Sequence, residues 1–442
     1  MYLYSSLLQR ESEHQPVRVG LIGAGKFGSM FLSQVPTTPG LVVSAIADLE
    51  PAAAQARCRE VGWEDERISS CRFTDDAATM IAAADVDVVV EATGHPAAGI
   101  KHALLCSEQG KHVIMVNVEA DVLAGPYLAQ QARQAGVVYS MAYGDQPALT
   151  MEMIDWARSC GFKVVAAGKG TKYLPTYHQS TPDTVWSHYG LSAEQAAAAG
   201  MRSQMFNSFL DGTKSSIEMA AIANAANLRV PTDGLAFPPC GADDLAQVLR
   251  PASAGGQLEF SGQVEVVSSL ERDGGPVPHD LRWGVYCVFE APNDYSAACF
   301  RQYGMNTDDS GRYSAMYKPF HLIGLELNIS ILSAALRGQH TGAPVCFNGD
   351  VVAVAKRDLK PGEMLDGEGG FTVWGKLMPA AASVAAGALP IGLASELRVS
   401  REIRQGQVVT LDAIDAGRDT QAWQVRARML AQFSQADNAK AG

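Results

Sequence analysis

No stretch of about 18 uncharged apolar residues occurs in this chain, so the sequence offers no membrane span. Positive charge is short. Lys and Arg number 35 against 47 Asp and Glu, a formal net charge of −12, and a nucleic-acid role therefore has no electrostatic support. The eight cysteines show no C-x-x-C spacing. That speaks against a structural zinc site and for reduced thiols, as in a cytoplasmic protein, and none of the eight sits where a nucleophile would. The first residues carry Arg10, Glu11 and Glu13 without a small-residue cleavage site. They read as a short amphipathic lead-in helix rather than a signal peptide. What remains is ordinary globular material: 442 residues, 47% hydrophobic and 19% charged, enough for two or three domains with cores of their own.

Against that background one motif stands out. Gly23-Ala24-Gly25-Lys26-Phe27-Gly28 directly follows the apolar run Val17-Arg18-Val19-Gly20-Leu21-Ile22. With 42 glycines in the chain, a bare G-x-G-x-x-G means little. Here a strand-like run precedes it and a helix-like segment, 29–35, comes after it. A second apolar run, 41–47, then ends in Asp48, 20 residues after Gly28. This is the dinucleotide fingerprint. The first Gly permits the tight turn, the second lets backbone approach a pyrophosphate, and the third allows close helix–strand packing. The helix N-terminus turns free N–H groups towards the phosphates. Asp48 would accept from an adenosine ribose hydroxyl, favouring NAD over NADP. Leu49 and Glu50 supply no cation for a 2′-phosphate, and Arg57 is expected to lie too far along its helix.

Strand and helix signals keep alternating to about residue 160. Strands are expected at 86–91, 112–116 and 137–140, and helices from Pro96 to Gln109 and over 126–135. Nearly continuous apolar strands in such units mean a parallel sheet covered on both faces. Ligands bind at the carboxyl ends of such strands, where Asp48, Thr93, Gly94, His95 and Asn117 lie. Beyond residue 160 a strand at 163–167 leads into a polar stretch. It runs Gly168-Lys169-Gly170-Thr171-Lys172-Tyr173 and on through His178-Gln179-Ser180-Thr181-Pro182-Asp183. A helix is expected over 215–228 and another near 319–337 that returns to the first domain. The segments 350–363 and 397–412 repeat an apolar run ending in an x-x-G-E/Q turn, which reads as a small β-rich domain. The tail 434–442 is polar and reads as disordered.

These residues carry a resemblance. The Gly23–Gly28 loop, Glu91-Ala92-Thr93-Gly94 and the 110–117 segment ending in Asn117 resemble homoserine dehydrogenase. The stretches 168–172, 177–186 and Asp211-Gly212-Thr213-Lys214 are closer to the 1-deoxy-D-xylulose 5-phosphate reductoisomerase-like proteins. Those are NAD(P)-dependent oxidoreductases that carry a C-terminal SAF domain, and the 350–412 region is similar to that domain. The resemblance spans nearly the whole chain. It implies an α/β fold in parts: a Rossmann-type doubly wound parallel sheet over 16–160, an α+β catalytic domain over 161–345, an SAF-like β-rich domain over 346–415, and a C-terminal helix and tail over 416–442. It also implies hydride transfer at a polyol or hydroxy-carbonyl carbon, NADPH with a divalent cation, and a homodimer or higher homo-oligomer. In homoserine dehydrogenases a Lys commonly succeeds the Asn of the 110–117 segment. Here Val118 and Glu119 come after Asn117, which turns the reading away from homoserine.

The candidate site residues fall into groups. Gly23, Ala24, Gly25, Lys26, Phe27, Gly28 and Asp48 hold the cofactor, NAD(P)H, with Thr93, Gly94, His95 and Asn117 on its nicotinamide side. Lys214 opens a helix, where its charge opposes the dipole. It is the candidate proton carrier, with Asp211 as cap or partner and Lys169 next in line. Lys169, Thr171 and Lys172 suit a phosphate or carboxylate, although an exposed turn would read the same way. His178, Ser180 and Thr181 suit a hydroxylated substrate, and a structural His would serve equally at 178. Glu119, Asp145, Asp183, Asp211 and Glu218 match no metal-ligand spacing, so a divalent cation stays unassigned. The leading expectation is an NAD(P)-dependent oxidoreductase acting on a small phosphorylated or acidic polyol or ketose. The alternative is a non-catalytic, NAD(P)-dependent sugar sensor or assembly module that uses the SAF-like domain for partners.

Overall fold

Short β-branched runs buried on both faces can only sit in the middle of a covered sheet, and the first 152 residues supply six strands. They are β1 (Val17–Ile22), β2 (Leu41–Ala47), β3 (Arg72–Thr74), β4 (Val88–Glu91), β5 (His112–Met115) and β6 (Tyr139–Met141). They pair in the order β3-β2-β1-β4-β5-β6, every pair parallel. That is the doubly wound order, whose strand order reverses between β1 and β4 and opens a crevice at the carboxyl ends of the strands. The computed structural model describes residues 2–415, 417 and 419–436. Residues 437–442 of the polar tail lie outside the described residues, and the helix Gln421–Ala436 occupies the start of that tail.

The chain divides into two units, one of residues up to 152 with 321–345 and 424–432, the other of 153–320 and 346–423 with the residues from 433. In the first, Val19, Leu21, Val88, Val90 and Ile114 share a core with Phe31 and Leu32 of the helix Lys26–Gln34. Burying a side chain of that size contributes about 1.5–3 kcal/mol. Leu3 and Leu7 of the lead-in helix Leu3–Ser12 join the same core, as do Leu327, Ile331 and Leu332 at the helix Asn328–Arg337. One helix departs from expectation. It runs Val118–Gln134 and passes through Pro126, whereas the sequence places its start at Pro126. A proline inside a helix costs about 3 kcal/mol or more. Two features offset that here: Asn117 caps the first turn, its Oδ1 accepting from the Ala120 amide at 3.1 Å, and Val118, Val122, Leu123 and Leu128 are all buried.

The second unit holds a mixed sheet of β7 (Lys163–Thr171), β8 (Gln263–Ser268), β9 (Val285–Glu290) and β10 (Tyr313–Lys318), in the order β10-β9-β7-β8. Only β7 and β8 run parallel; the other two pairs are antiparallel. The C-terminal β-rich region comes next: β11 (Gly349–Ala355), β12 (Met364–Asp366), β13 (Val373–Pro379), β14 (Ser395–Val399) and β15 (Ile414–Asp415). β11 pairs with β13, and β12-β14-β15 form a second small sheet.

The helix Thr213–Ala226 packs against β7, β8, β11 and β13. All its residues except Lys214 are buried. Its alanines suit that position, and so does a missing side chain opposite: a Cβ on Gly375 of β13 would come within 2.7 Å of Thr213 Cγ2. Asn224 ties the same helix to the start of β11, donating to the Gly349 carbonyl at 3.0 Å and accepting from the Asn348 and Gly349 amides at 2.8 and 2.9 Å.

Candidate functional site

In the first unit the glycine loop forms the turn that the fingerprint requires. Gly23 has a φ of +90° and lies against the Ala92 carbonyl, where a Cβ would sit 2.8 Å away. A Cβ on Gly28 would come 2.5 Å from the Gly23 carbonyl oxygen, so that position is closed by helix–loop packing. Gly25 is different, since no heavy atom lies within 4 Å of a Cβ placed there. It is the N-cap of the Lys26–Gln34 helix, and no side chain caps that helix end. An open backbone face therefore stands at a positive helix end, the arrangement that accepts a pyrophosphate. Ala24 and Gly28 are buried, Phe27 half-buried, Gly25 and Lys26 exposed.

Asp48 closes the loop. Its Oδ2 accepts from the Ala24 amide at 2.8 Å and its Oδ1 from the Glu50 amide at 3.0 Å. The expectation that Arg57 lies out of reach fails. Its guanidinium donates to the Ala24 carbonyl at 3.1 Å and sits 3.7 Å from Asp48 Oδ2. Beside the glycine loop, the end of β2 thus carries a cation as well as a carboxylate. At the ends of β4 and β5, Asn117 Nδ2 donates to the His95 carbonyl at 2.9 Å and to Thr93 Oγ1 at 3.4 Å. Thr93 in turn donates to the buried Glu91 at 2.5 Å, and His102 approaches the same Glu91 oxygen at 3.2 Å. Thr93, Gly94 and His95 line the edge while Asn117 is buried beneath them, so Asn117 acts as the brace of this edge. His95 also caps the helix Pro96–Glu108, its ring accepting from the Ala98 amide.

In the second unit the candidate lysines fall into distinct settings. Lys169, near the end of β7, forms a buried ion pair with Glu218. Glu218 lies four residues after Lys214 on the Thr213–Ala226 helix, and positions at that spacing share a face. Glu218 and Lys214 thus point to the same side of the helix, Glu218 buried against Lys169 and Lys214 half-buried. Sequence reasoning treats Glu218 only as a metal candidate, although its spacing from Lys214 is a usable signal. Asp211 pairs with Lys356 of the C-terminal region at 2.8 Å, both groups almost fully buried. Burial pushes the Asp211 carboxyl up, against the pull of Lys356 and the Thr213 amide. Lys356 also donates to the carbonyls of Ser180 and Gly370, each at 2.7 Å.

Lys172 donates to the His188 carbonyl and lies 5.9 Å from the Tyr189 ring centre. Burial lowers its pKa, helped by Arg282. Ser180 donates to Asn207 Oδ1 at 2.7 Å, which places its hydroxyl in a structural clasp. The Thr181 amide donates to Thr184 Oγ1 at 2.9 Å, the mark of a local turn, and Thr171 is half-buried at the end of β7. Among the described residues no group of three or more His, Cys, Asp or Glu comes together as a metal site. Glu119, Asp145, Asp183, Asp211 and Glu218 accordingly do not converge.

His178 has both ring nitrogens engaged. Nδ1 lies 2.7 Å from the Asp211 carbonyl oxygen, which can only accept, so Nδ1 carries the proton. Nε2 then accepts from the Tyr173 hydroxyl at 3.0 Å. Burial lowers the pKa of the ring, and the Lys356 and Lys376 ammonium groups add to that. The ring stacks on Trp374 with centres 3.8 Å apart, and Tyr173 stacks on Phe237 at 3.9 Å. His178, Trp374 and Phe237 wall a cavity of about 350 Å³ whose lining also includes Ser216, Asp233, Lys376 and Gln405. Trp374, Lys376 and Gln405 escape a reading of the sequence because they come from strands and turns far along the chain.

Residues 23–141 match a family model described as homoserine dehydrogenase, NAD binding domain. Residues 144–327 match one described as oxidoreductase DRL, catalytic domain. No curated protein matches the sequence. Among solved structures, the chain is similar to the myo-inositol dehydrogenase of Lactobacillus casei, solved with NAD(H) and myo-inositol. The identity is 16%, the match covers 39% of this chain and 50% of that one, and the TM-score is 0.29. A probable dehydrogenase of Thermotoga maritima is 13% identical over 73% of this chain and 90% of that one, with a TM-score of 0.38. The biliverdin reductase of Synechocystis, solved with biliverdin and NADP+, is 18% identical over 36% and 48%, with a TM-score of 0.27. The chain thus spans about half the length of the first of these structures, and none of the three bears on its chemistry. The two family models together describe an NAD(P)-dependent oxidoreductase. The open Gly25 face and Asp48 fit its nicotinamide cofactor.

Proposed function

We propose that the chain transfers a hydride between a nicotinamide cofactor and a small polyol or ketose bearing an acidic group. Gly23, Gly25, Gly28 and the free amides at the start of the Lys26–Gln34 helix would hold the pyrophosphate. Asp48 and Arg57 would meet the adenosine ribose, and Thr93 and His95, braced by Asn117, would line the nicotinamide side. The bound cofactor supplies or accepts the hydride. The protein's own task is then to move a proton at the substrate oxygen and to orient the carbon that bears it.

The observation that carries this reading is the Thr213–Ala226 helix, which is buried except at Lys214. Glu218 is held by Lys169 in a buried ion pair, and Lys214, on the same face of the helix, is its one position that is not buried. A lysine ammonium can donate a proton to a substrate oxygen as it becomes an alkoxide and take one back in the reverse direction. We assign Lys214 as the proton carrier, with Glu218 and Lys169 positioning it. Asp211 belongs to the fold in this reading, since it clasps Lys356. The resemblance of 168–172 and 177–186 to reductoisomerase-like proteins supports a ketose as the oxidised partner.

The test is a screen of sugar acids, sugar phosphates and neutral polyols with purified protein and all four forms of NAD and NADP. Turnover with an acidic polyol or its ketone supports the reading. Tight NAD(P)H binding without oxidation by any of these compounds overturns it.

A further inference from the structure

The anion-binding lysines expected from the sequence are engaged elsewhere. Lys169 pairs with Glu218, and Lys172 is bound to the His188 carbonyl. The cavity beside His178 contains another cation, Lys376, which the sequence does not bring forward. Lys376 is half-buried, and among the described residues its ammonium makes no hydrogen bond or ion pair. Its stem runs close to the backbone of Gly234, where a Cβ would come 3.0 Å from Lys376 Cε and 3.6 Å from Cγ. Gly234 closes the turn Pro231-Thr232-Asp233-Gly234 with a φ of +86°, and that turn delivers Asp233 to the same cavity.

The remaining walls are stiff. His178 is fixed by two hydrogen bonds and a stack on Trp374. Phe237 is held by the stack on Tyr173 and by the hydrogen bond its backbone amide donates to the buried Glu265. Its φ of +51° is uncommon for a bulky residue and marks a conformation that its surroundings impose. At about 350 Å³ the space falls within the range of small-molecule sites, roughly 300–1,000 Å³.

We propose that this cavity is a binding site for a small hydroxylated monocarboxylate of the sugar-acid class, with the Lys376 ammonium as counter-ion to its carboxylate. Asp233 and Gln405 take the hydroxyl groups, one as acceptor and one as either partner. The face of Trp374 packs against the carbon chain. Asp233 also sets the preference for a carboxylate over a phosphate, because a second negative charge on the ligand would be repelled by its own. The site rests on reading the second unit as the part that carries the substrate, and it narrows the acidic group of that substrate to a carboxylate.

The experiment is isothermal titration of the full-length protein with D-gluconate, D-glucose 6-phosphate and neutral sorbitol. Gluconate is expected to bind, glucose 6-phosphate more weakly, and sorbitol not measurably. Lys376→Met should weaken gluconate by about tenfold or more, the scale of a charge-assisted hydrogen bond. Lys376→Arg should restore most of the loss, and Lys163→Met, on an exposed strand end, should change nothing. Asp233→Asn should narrow the gap between gluconate and glucose 6-phosphate. No binding of gluconate, equal binding of sorbitol, tighter binding of glucose 6-phosphate, or an unchanged Lys376→Met overturns the proposal. Gluconate binding that depends on Lys376 but is never accompanied by turnover overturns the proposed reaction and supports the site. Turnover of a sugar acid whose KM ignores Lys376→Met overturns the site and leaves the reaction standing.

Discussion

A buried ammonium beside a buried carboxylate is stable only as a pair, and Asp211 with Lys356 is such a case. Lys356 is 2% exposed and Asp211 0%, so removing the cation leaves a carboxyl whose pKa burial already raises. Lys356→Met is expected to cost about 3–5 kcal/mol, read as a fall in the urea midpoint at unchanged slope. Adding Asp211→Asn should recover part of the loss. A single variant as stable as the parent would mean that water reaches the pair. Lys214, the one position of its helix that is not buried, is tested through turnover instead. Lys214→Met should lower turnover by about 10²–10⁴-fold while NADH affinity and the urea midpoint stay within error, and turnover within a few-fold of the parent would remove it from the mechanism. The ribose end adds a third test. With Arg57 3.7 Å from Asp48, Asp48→Ser should raise NADP affinity relative to NAD by about fivefold, equivalent to about 1 kcal/mol of relieved repulsion. Adding Arg57→Ala should cancel the gain. Fluorescence titration with both reduced cofactors measures it.

At the level of elements, β8 carries a pH-dependent joint. Glu265 is buried, and its Oε1 accepts from the amides of Ala236 at 3.1 Å, Phe237 at 3.3 Å and Val266 at 2.9 Å. Burial outweighs those bonds and the nearby Arg272 and pushes its pKa up to about 7. An acid whose folded pKa lies above its unfolded value keeps a proton that the unfolded chain has lost. Stability therefore falls as pH rises from the ordinary Glu value, about 4.3, to about 7, and is flat above that. Asp121, buried in the first unit with its carboxyl also pushed up to about 7, adds a slope of the same sign. Glu265→Gln should flatten the fall in urea midpoint between about pH 5 and 7 without removing it, and an unchanged slope would assign the effect to other groups. The same scale shows how much of the molecule is legible in the sequence. β1, the glycine loop and Asp48 can be read because period, turn chemistry and spacing are local. The start of the Val118–Gln134 helix is missed because Pro126 reads locally as a helix start, a signal that burial and the Asn117 cap outweigh. The partners of Glu218, Lys356 and Trp374 are missed for another reason: each is met only once β7, β11 and β13 have packed around the Thr213–Ala226 helix.

Across the whole molecule, the two units have separate cores, and the fingerprint belongs to only one of them. A ligand that binds a folded protein and not its unfolded chain stabilises it by mass action, about 2.7 kcal/mol when present at about 100 times its Kd. NADH should therefore raise the unfolding temperature of the full chain, and Gly25 decides whether it does. Gly25 has a φ of −68° and a ψ of −160°, an extended conformation open to a β-branched residue. No heavy atom lies within 4 Å of a Cβ placed there. Gly25→Val should thus fold like the parent and melt at the same temperature without cofactor. With cofactor the valine methyls occupy the space the pyrophosphate needs, and the NADH-dependent rise should vanish. Gly28→Val is the contrasting variant. Its Cβ would meet the Gly23 carbonyl oxygen at 2.5 Å, so it should lower the melting temperature even without cofactor. Equal NADH-dependent shifts in the parent and Gly25→Val would show that the loop is a structural turn and that the cofactor is held elsewhere.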